Sequence, residues 1–91
     1  MSYVIRARVR ERGEDDFQPM FAGILYYFND KSAGWYYTMR CADEFKNAGE
    51  ARKFFNEHKN RLLNSKDFSV ALDSIEICEV ECKPVERINV L

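Results

Sequence analysis

The sequence holds few of the side chains from which most active sites are built. It has one histidine, His58, and three cysteines in 91 residues. With a single histidine and no cysteine in an activating local motif, no nucleophile–base arrangement stands out. An odd cysteine count also differs from the even disulfide framework of small secreted domains. We therefore expect free thiols, no catalytic residue and no enzymatic activity.

Long apolar runs are missing as well, and glycine and proline are scarce. The longest apolar run, Phe21 to Phe28, is far shorter than the ~20 residues of a membrane span. The N-terminal residues alternate apolar and basic side chains, unlike a signal peptide. A content of 46% hydrophobic and 32% charged residues is typical of a compact fold, and residues 1–91 are expected to form one small domain. We expect a cytoplasmic protein without membrane association.

Charge of one sign is also lacking, because 14 Lys+Arg stand against 15 Asp+Glu. The net charge of −1 provides no overall field for unspecific binding to nucleic acid. One local concentration of charge does exist. Alternating hydrophobicity predicts a first strand, Tyr3 to Arg12, with apolar side chains on one face. The other face is expected to carry Arg6, Arg8, Arg10 and Arg12.

Two interpretations of this arginine stripe stay open. Arginines two apart repeat at about 6.6–6.8 Å, close to the phosphate spacing of an extended nucleic-acid strand. Each guanidinium can bind a phosphate or carboxylate through two hydrogen bonds, which suits an acidic partner or nucleic acid. Alternatively, the arginines pair across the sheet with Glu79 and Glu81 of the last strand.

Aromatic runs predict a β-hairpin in the middle of the chain. Phe21 to Phe28 and Trp35 to Cys41 flank the polar residues 29–34, a pattern typical of a hairpin with a longer loop. Asn47 followed by Glu50 then predicts the capped start of an amphipathic helix over residues 48–63. Residues 64–73 stay undecided between an extended stretch and another helical turn.

The last part of the chain is predicted to be β-rich from Ser74 to Lys83. Its apolar side chains change faces near Ile77 and Cys78, which indicates a bulge there. Pro84 excludes a central strand, so Val85 to Leu91 is expected to be an edge strand or a packed tail. The order strand, strand, strand, helix, strand predicts an α+β domain with an antiparallel sheet of about four strands and one main helix.

One helix can cover only one face of such a sheet, so the second face needs other cover. The candidates are residues 68–72, the C-terminal tail, a second copy in a homodimer, or another molecule. If a partner covers this face, we expect it to contact four side chains: Tyr26, Phe28, Tyr36 and Arg40.

Two further clusters favour structural roles over metal or cofactor binding. Four possible zinc ligands are present, but without a tight knuckle on a loop; they are Cys41, His58, Cys78 and Cys82. Buried free cysteines are the preferred interpretation. The acidic residues 14–16 lack the spacing of a calcium loop, and the glycines build no phosphate cradle. We expect no metal and no cofactor.

Two resemblances add expectations about function. Trp35-Tyr-Tyr-Thr-Met-Arg40, followed by Phe45-Lys-Asn-Ala-Gly-Glu-Ala51-Arg-Lys-Phe54, resembles the arm-type DNA-binding domain of tyrosine recombinases. That resemblance covers residues 35–54 and implies a sheet laid in the DNA major groove, with Thr38 and Arg40 as contacts. In size and layout, the chain is similar to small phage and mobile-element proteins. These include anti-CRISPR and other host-defence inhibitors, which occlude a partner without catalysis.

The sequence thus favours a non-enzymatic module that binds a protein or nucleoprotein partner. Binding is expected through the aromatic sheet face or the arginine-bearing strand, as in an inhibitor of host defence. The alternative is a nucleic-acid-binding domain that uses the arginine stripe, either without sequence specificity or in the arm-type mode.

Overall fold

The computed structural model describes residues 1–27, 30–81 and 84–90, with side chains described outside residues 25–32. In this part of the chain, an antiparallel sheet of six strands packs against one α-helix. The α+β class and the single main helix are confirmed, whereas about four strands was too few. The elements in chain order are β1 Tyr3–Glu11, β2 Gln18–Tyr27, β3 Asp30–Tyr36, α1 Ala48–Leu63, β4 Phe68–Val70, β5 Glu76–Glu79 and β6 Pro84–Arg87.

β1 lies at the centre of the sheet, in the strand order β3-β2-β1-β5-β6. One edge of β1 pairs with β2, and the other edge pairs with β5 and then with the short strand β4. Arg6 lies opposite Phe21 of β2 on one side and Glu76 of β5 on the other. Strands from both ends of the chain therefore meet at β1.

The helix α1 spans the range predicted from its capping box and apolar spacing. The side-chain oxygen of Asn47 accepts a hydrogen bond from the Glu50 amide at 2.8 Å, which satisfies one of the free donors of the first turn. The apolar stripe of α1 is buried against the sheet and comprises Ala51, Phe54, Phe55 and Leu62. No helix in the described part of the chain has the length and apolar character that a membrane crossing requires.

The main core lies between α1 and the sheet face that carries Ile5, Ala7 and Val9, here called the helix face. Trp35 is 3% exposed, and its indole N–H donates to the Leu62 carbonyl at 2.8 Å. This bond satisfies a carbonyl that the end of the helix leaves without an intrahelical partner. β3 is therefore fixed to the C-terminal turn of α1.

The hairpin of β2 and β3 is confirmed, but its second strand was placed wrongly. β3 begins at Asp30, inside the predicted loop, because its regular pairing with β2 runs from Tyr27↔Asp30 to Phe21↔Tyr36. After β3, Met39–Cys41 forms a 3₁₀ turn instead of the predicted strand. The Thr38 hydroxyl caps this turn by accepting a hydrogen bond from the Arg40 amide at 3.2 Å.

Residues 64–73, for which the sequence allows an extended stretch or a helical turn, include the short strand β4. β4 and β5 together act as one interrupted strand along β1. Between them, the Ser74 hydroxyl accepts from the Arg8 amide at 2.8 Å and donates to the Ala71 carbonyl at 2.5 Å. The Ala71 amide donates to the Arg8 carbonyl at 2.9 Å. A side chain thus replaces the missing ladder bond, so both backbone groups of Arg8 stay paired.

The predicted bulge is confirmed between Ile77 and Cys78, where the register with β6 shifts by one residue. The extra residue belongs to β6 and is Val85, since Ile77 lies opposite Glu86 and Cys78 opposite Pro84. Both predicted fates of the C-terminal residues are realised: β6 is an edge strand, and Ile88 and Val90 pack against the main core.

Candidate functional site on the arginine face

The sheet face opposite α1, here called the arginine face, carries three of the four predicted stripe residues on β1. Arg6, Arg8 and Arg10 alternate with the buried side chains of the helix face, as predicted. Arg12 lies beyond the end of β1, because the strand ends at Glu11. The Arg12 amide donates to the Asp67 carbonyl at 3.0 Å, which holds the chain next to the loop that follows α1.

Arg6 is neutralised within the sheet. Its Nε donates to the Glu76 carboxylate at 2.9 Å, and its terminal nitrogen contacts the same oxygen. Arg87 lies 3.7 Å from the other carboxylate oxygen, and the Glu76 side chain is only 8% exposed. A buried carboxylate needs such charge partners, so Arg6 has a structural role.

The cross-sheet pairing was therefore predicted with the wrong acids. Glu79 lies opposite Tyr3, and Glu81 lies in the turn after β5. The acid in register with Arg6 is Glu76, which the alternation of β5 places on the arginine face. The side-chain pattern of a single strand does not show its register with the neighbouring strand. The wrong acids were therefore assigned to the arginines.

Arg8 and Arg10 surround an aromatic ring that the sequence analysis did not single out. The Phe17 ring, in the loop before β2, lies 4.9 Å from the Arg10 guanidinium carbon and 5.8 Å from that of Arg8. Arg8 is exposed and Arg10 half-buried. Among the described residues, no carboxylate forms an ion pair with either guanidinium. We call Arg8, Phe17 and Arg10 the arginine clamp.

The other half of the arginine face is covered by the chain itself, through a segment that was not among the predicted covers. In residues 38–45, the crossing segment, Met39 and Ala42 pack against a small buried cluster of Val4, Phe21 and Cys78. Gly23 makes this approach possible, because a Cβ there would lie only 2.7 Å from the Cys41 carbonyl oxygen. The aromatic surplus noted in the sequence is thus partly used internally.

The crossing segment is anchored to two strands. Tyr3 and Phe45 exchange backbone hydrogen bonds of 2.8 Å, and the Asp43 amide donates to the Ala22 carbonyl at 3.3 Å. The segment therefore bonds to β2 just beyond Phe21, the last β2 residue that pairs with β1.

Desolvation raises the pKa of the Asp43 carboxyl above its ordinary value, while the Ile24 amide and nearby His58 lower it.

The four predicted partner-contacting residues have different positions. Arg40 is exposed on the 3₁₀ turn of the crossing segment. Tyr36 is half-buried, with its ring over Gly34 and Gly23, so it supports the crossing segment. Tyr26 belongs to β2, but its side chain lies outside the described residues, as does Phe28 entirely.

The four possible zinc ligands, for which no metal site was expected, are not brought together. Cys78 is buried on the arginine face, whereas His58 stacks on Phe54 of α1 at 4.5 Å, on the other side of the sheet. Cys41 is exposed on the crossing segment, and Cys82 lies outside the described residues. Within the described ranges, no cluster of three ligating side chains is positioned to hold a metal ion.

Tyr37 is a second feature that sequence analysis missed. It is 49% exposed just after β3 and lines a groove together with Glu11. Desolvation, the interaction with the Glu11 side chain, and the charges of Glu11 and Glu14 raise the pKa of Tyr37 to about 12. Only the pairing of β2 with β1 on one edge and with β3 on the other brings these residues together, so no local sequence signal indicates the contact.

The arginine clamp can bind anionic oxygens at two points. Side chains two apart on a strand are separated by about 6.6–6.8 Å, and each guanidinium presents paired donors to a carboxylate or phosphate. Phe17 limits the positions that both guanidinium groups can adopt. Just before Phe17 in the chain, Glu14, Asp15 and Asp16 are exposed and give the clamp an acidic border.

Comparison of the chain with family models, curated proteins and solved structures gives no match.

Proposed function

We propose that this protein is a non-enzymatic binding module that holds an acidic segment of a partner protein in the arginine clamp. The supporting observation is the contrast within one strand. Arg6 is neutralised by Glu76, whereas Arg8 and Arg10 have Phe17 beside them and no acidic partner in the described residues. Such a module acts by occupying its partner, as an inhibitor does, and needs no catalytic group.

The position of the clamp favours specific binding. Arg8 and Arg10 lie on the central strand, whose backbone is paired on both edges. Their spacing is therefore fixed before the partner arrives, and less conformational entropy is lost on binding. Contact with an aromatic face also restricts the guanidinium groups while leaving their donors available.

A protein segment fits this surface better than nucleic acid does. Arg8 and Arg10, with Arg12 as a third, form no ion pair within the described ranges; two or three such arginines neutralise as many phosphates and give a salt slope of only about −2 to −3. The acidic residues 14–16 at the border would repel a continuous phosphate backbone. A short acidic peptide can place its carboxylates on the clamp and turn away from this border.

The test compares two double charge reversals. We expect Arg8→Glu with Arg10→Glu to abolish binding of a fluorescent glutamate-rich peptide, measured by anisotropy at low salt. The matched control, Lys53→Glu with Lys59→Glu, makes the same charge change on the exposed side of α1. It should bind nearly as well as the wild type. Equal losses in both variants would mean that net charge, not the clamp, governs binding.

Phe17 offers a second test, without any change of charge. Phe17→Ala should weaken peptide binding several-fold, and Phe17→Tyr should retain it, because only the ring is needed. A single-stranded DNA of similar charge serves as the competing ligand. Tighter binding to DNA than to the peptide, lost in the Arg8→Glu and Arg10→Glu variant, would replace this proposal with the nucleic-acid alternative.

A further inference from the structure

The two edges of the sheet differ in how well they are protected against pairing with another strand. β6 has four residues, starts at Pro84 and carries the bulge at Val85. Short length, proline and bulges are the features that prevent edge pairing. β3 has seven residues, contains no proline and keeps a regular register with β2 over its whole length.

An open groove of about 490 Å³ runs beside β3. Its walls include residues from both faces of the strand, among them Gly34, Trp35 and Tyr36, so the groove follows the edge. At one end lie Tyr37 and Glu11, with the charge of Glu14 nearby. The groove thus combines the edge of a strand with one acidic end.

We infer that this edge binds β3 of a second copy of the protein, in an antiparallel pair with Gly34 on the twofold axis. In the described part of the chain, β3 pairs only with β2, and the backbone groups of its other edge are suited to an extended strand. A twofold axis perpendicular to the sheet keeps both α1 helices on the same side. The two sheets then form one continuous sheet.

The sizes and charges of the residues that lie opposite each other in the two β3 strands favour this register. With Gly34 opposite Gly34, Trp35 of one copy lies opposite Ala33 of the other, which places a large residue beside a small one. Lys31 of one copy then lies opposite Tyr37 of the other, next to Glu11. The register therefore places the basic position of β3 opposite Tyr37, which lines the groove together with Glu11, and the symmetry repeats the pair.

A charge exchange tests the pairing. In sedimentation velocity, the wild type should show a concentration-dependent monomer–dimer equilibrium. Lys31→Glu and Glu11→Lys should each raise the dimer Kd roughly tenfold or more, because each change acts twice in the dimer. The double variant should restore dimerisation. The control Lys59→Glu, on exposed α1, should leave the dimer unchanged.

A disulfide tests the register itself, in a protein whose Cys41 and Cys82 are replaced by serine. Residues directly opposite in an antiparallel pair have Cα atoms about 4.5–5.5 Å apart, within disulfide range. Gly34→Cys should therefore form a covalent dimer on mild oxidation. Ser32→Cys should not, since its two copies would be about 13 Å apart along the strands.

Two results would overturn the inference. One is a wild-type protein that stays monomeric up to millimolar concentration. The other is a dimer that Lys31→Glu does not weaken and that Gly34→Cys does not crosslink. Either result leaves the arginine clamp untouched, because peptide binding is measured separately on β1 variants. The two proposals therefore succeed or fail independently.

Discussion

Gly23 and Gly34 lie directly opposite each other in β2 and β3, yet adding a methyl group should have opposite effects at the two positions. At Gly23, a Cβ would lie 2.7 Å from the Cys41 carbonyl oxygen and 3.3 Å from the Ala42 Cα. Both neighbours are backbone atoms, so relief requires the crossing segment to move. At Gly34, the nearest atom is the Tyr36 hydroxyl oxygen at 3.4 Å, an ordinary contact.

The magnitudes follow from these distances. Overpacking a fixed site costs about 1–3 kcal/mol, and displacing the crossing segment also endangers the hydrogen bond from the Asp43 amide to Ala22. We therefore expect Gly23→Ala to lower the free energy of unfolding by about 2–4 kcal/mol. Gly34→Ala should raise it by about 0.4–1 kcal/mol, because alanine restricts the unfolded chain.

Urea unfolding monitored by Trp35 fluorescence measures both effects. Trp35 is the only tryptophan and is buried, so its emission reports on the core. With a slope of about 1.5 kcal/mol per M, Gly23→Ala should lower the midpoint by about 1.3–2.7 M. Both variants are measured at low protein concentration, so that self-association does not affect the two midpoints. A midpoint for Gly23→Ala equal to or above that of Gly34→Ala would refute the close approach of the crossing segment.

Three further changes test individual contacts. Glu76→Gln removes the charge that holds Arg6 and should cost about 2 kcal/mol in urea unfolding, whereas Arg87→Gln at the exposed end should cost less than about 0.5 kcal/mol. The raised pKa of Tyr37 contributes stability that is present below pH ~10 and is lost as pH rises through 12, so Tyr37→Phe should flatten the alkaline decline in thermal unfolding temperature. Because the pKa of Asp43 is raised, its charged form is disfavoured in the fold. Asp43→Asn should therefore stabilise the protein at neutral pH, with a gain that shrinks as pH falls from the raised pKa towards the ordinary aspartate pKa and is absent below it.

Sequence alone predicted the elements whose signals are local. The Asn47 cap and the apolar spacing define α1 over its full range, and alternation places the β1 side chains on the correct faces. The bulge near Ile77 was also predicted correctly, although the apolar pattern behind the prediction has another cause. Ile77 packs under α1 and Cys78 under the crossing segment, so both faces of β5 are covered.

Contacts between distant segments could not be predicted in the same way. The polar residues 30–34 resemble a loop, and only their pairing with β2 makes them a strand. Phe17 belongs to the acidic loop between β1 and β2, and only the pairing of these two strands brings its ring beside Arg10. The three-residue β4 forms only because β1 offers it an edge. In each case, tertiary pairing outweighs local preference.

The central position of β1 has a consequence for folding during synthesis. β1 is made first, but the strands on one of its edges, β4 and β5, are made last. At ~5–20 residues per second, the ribosome needs several seconds to add them. Until then, the nascent chain keeps one side of its central strand open, and Val9 lacks its partner Val70. The growing chain therefore exposes an unpaired strand edge until β4 and β5 are added, and such an edge favours aggregation.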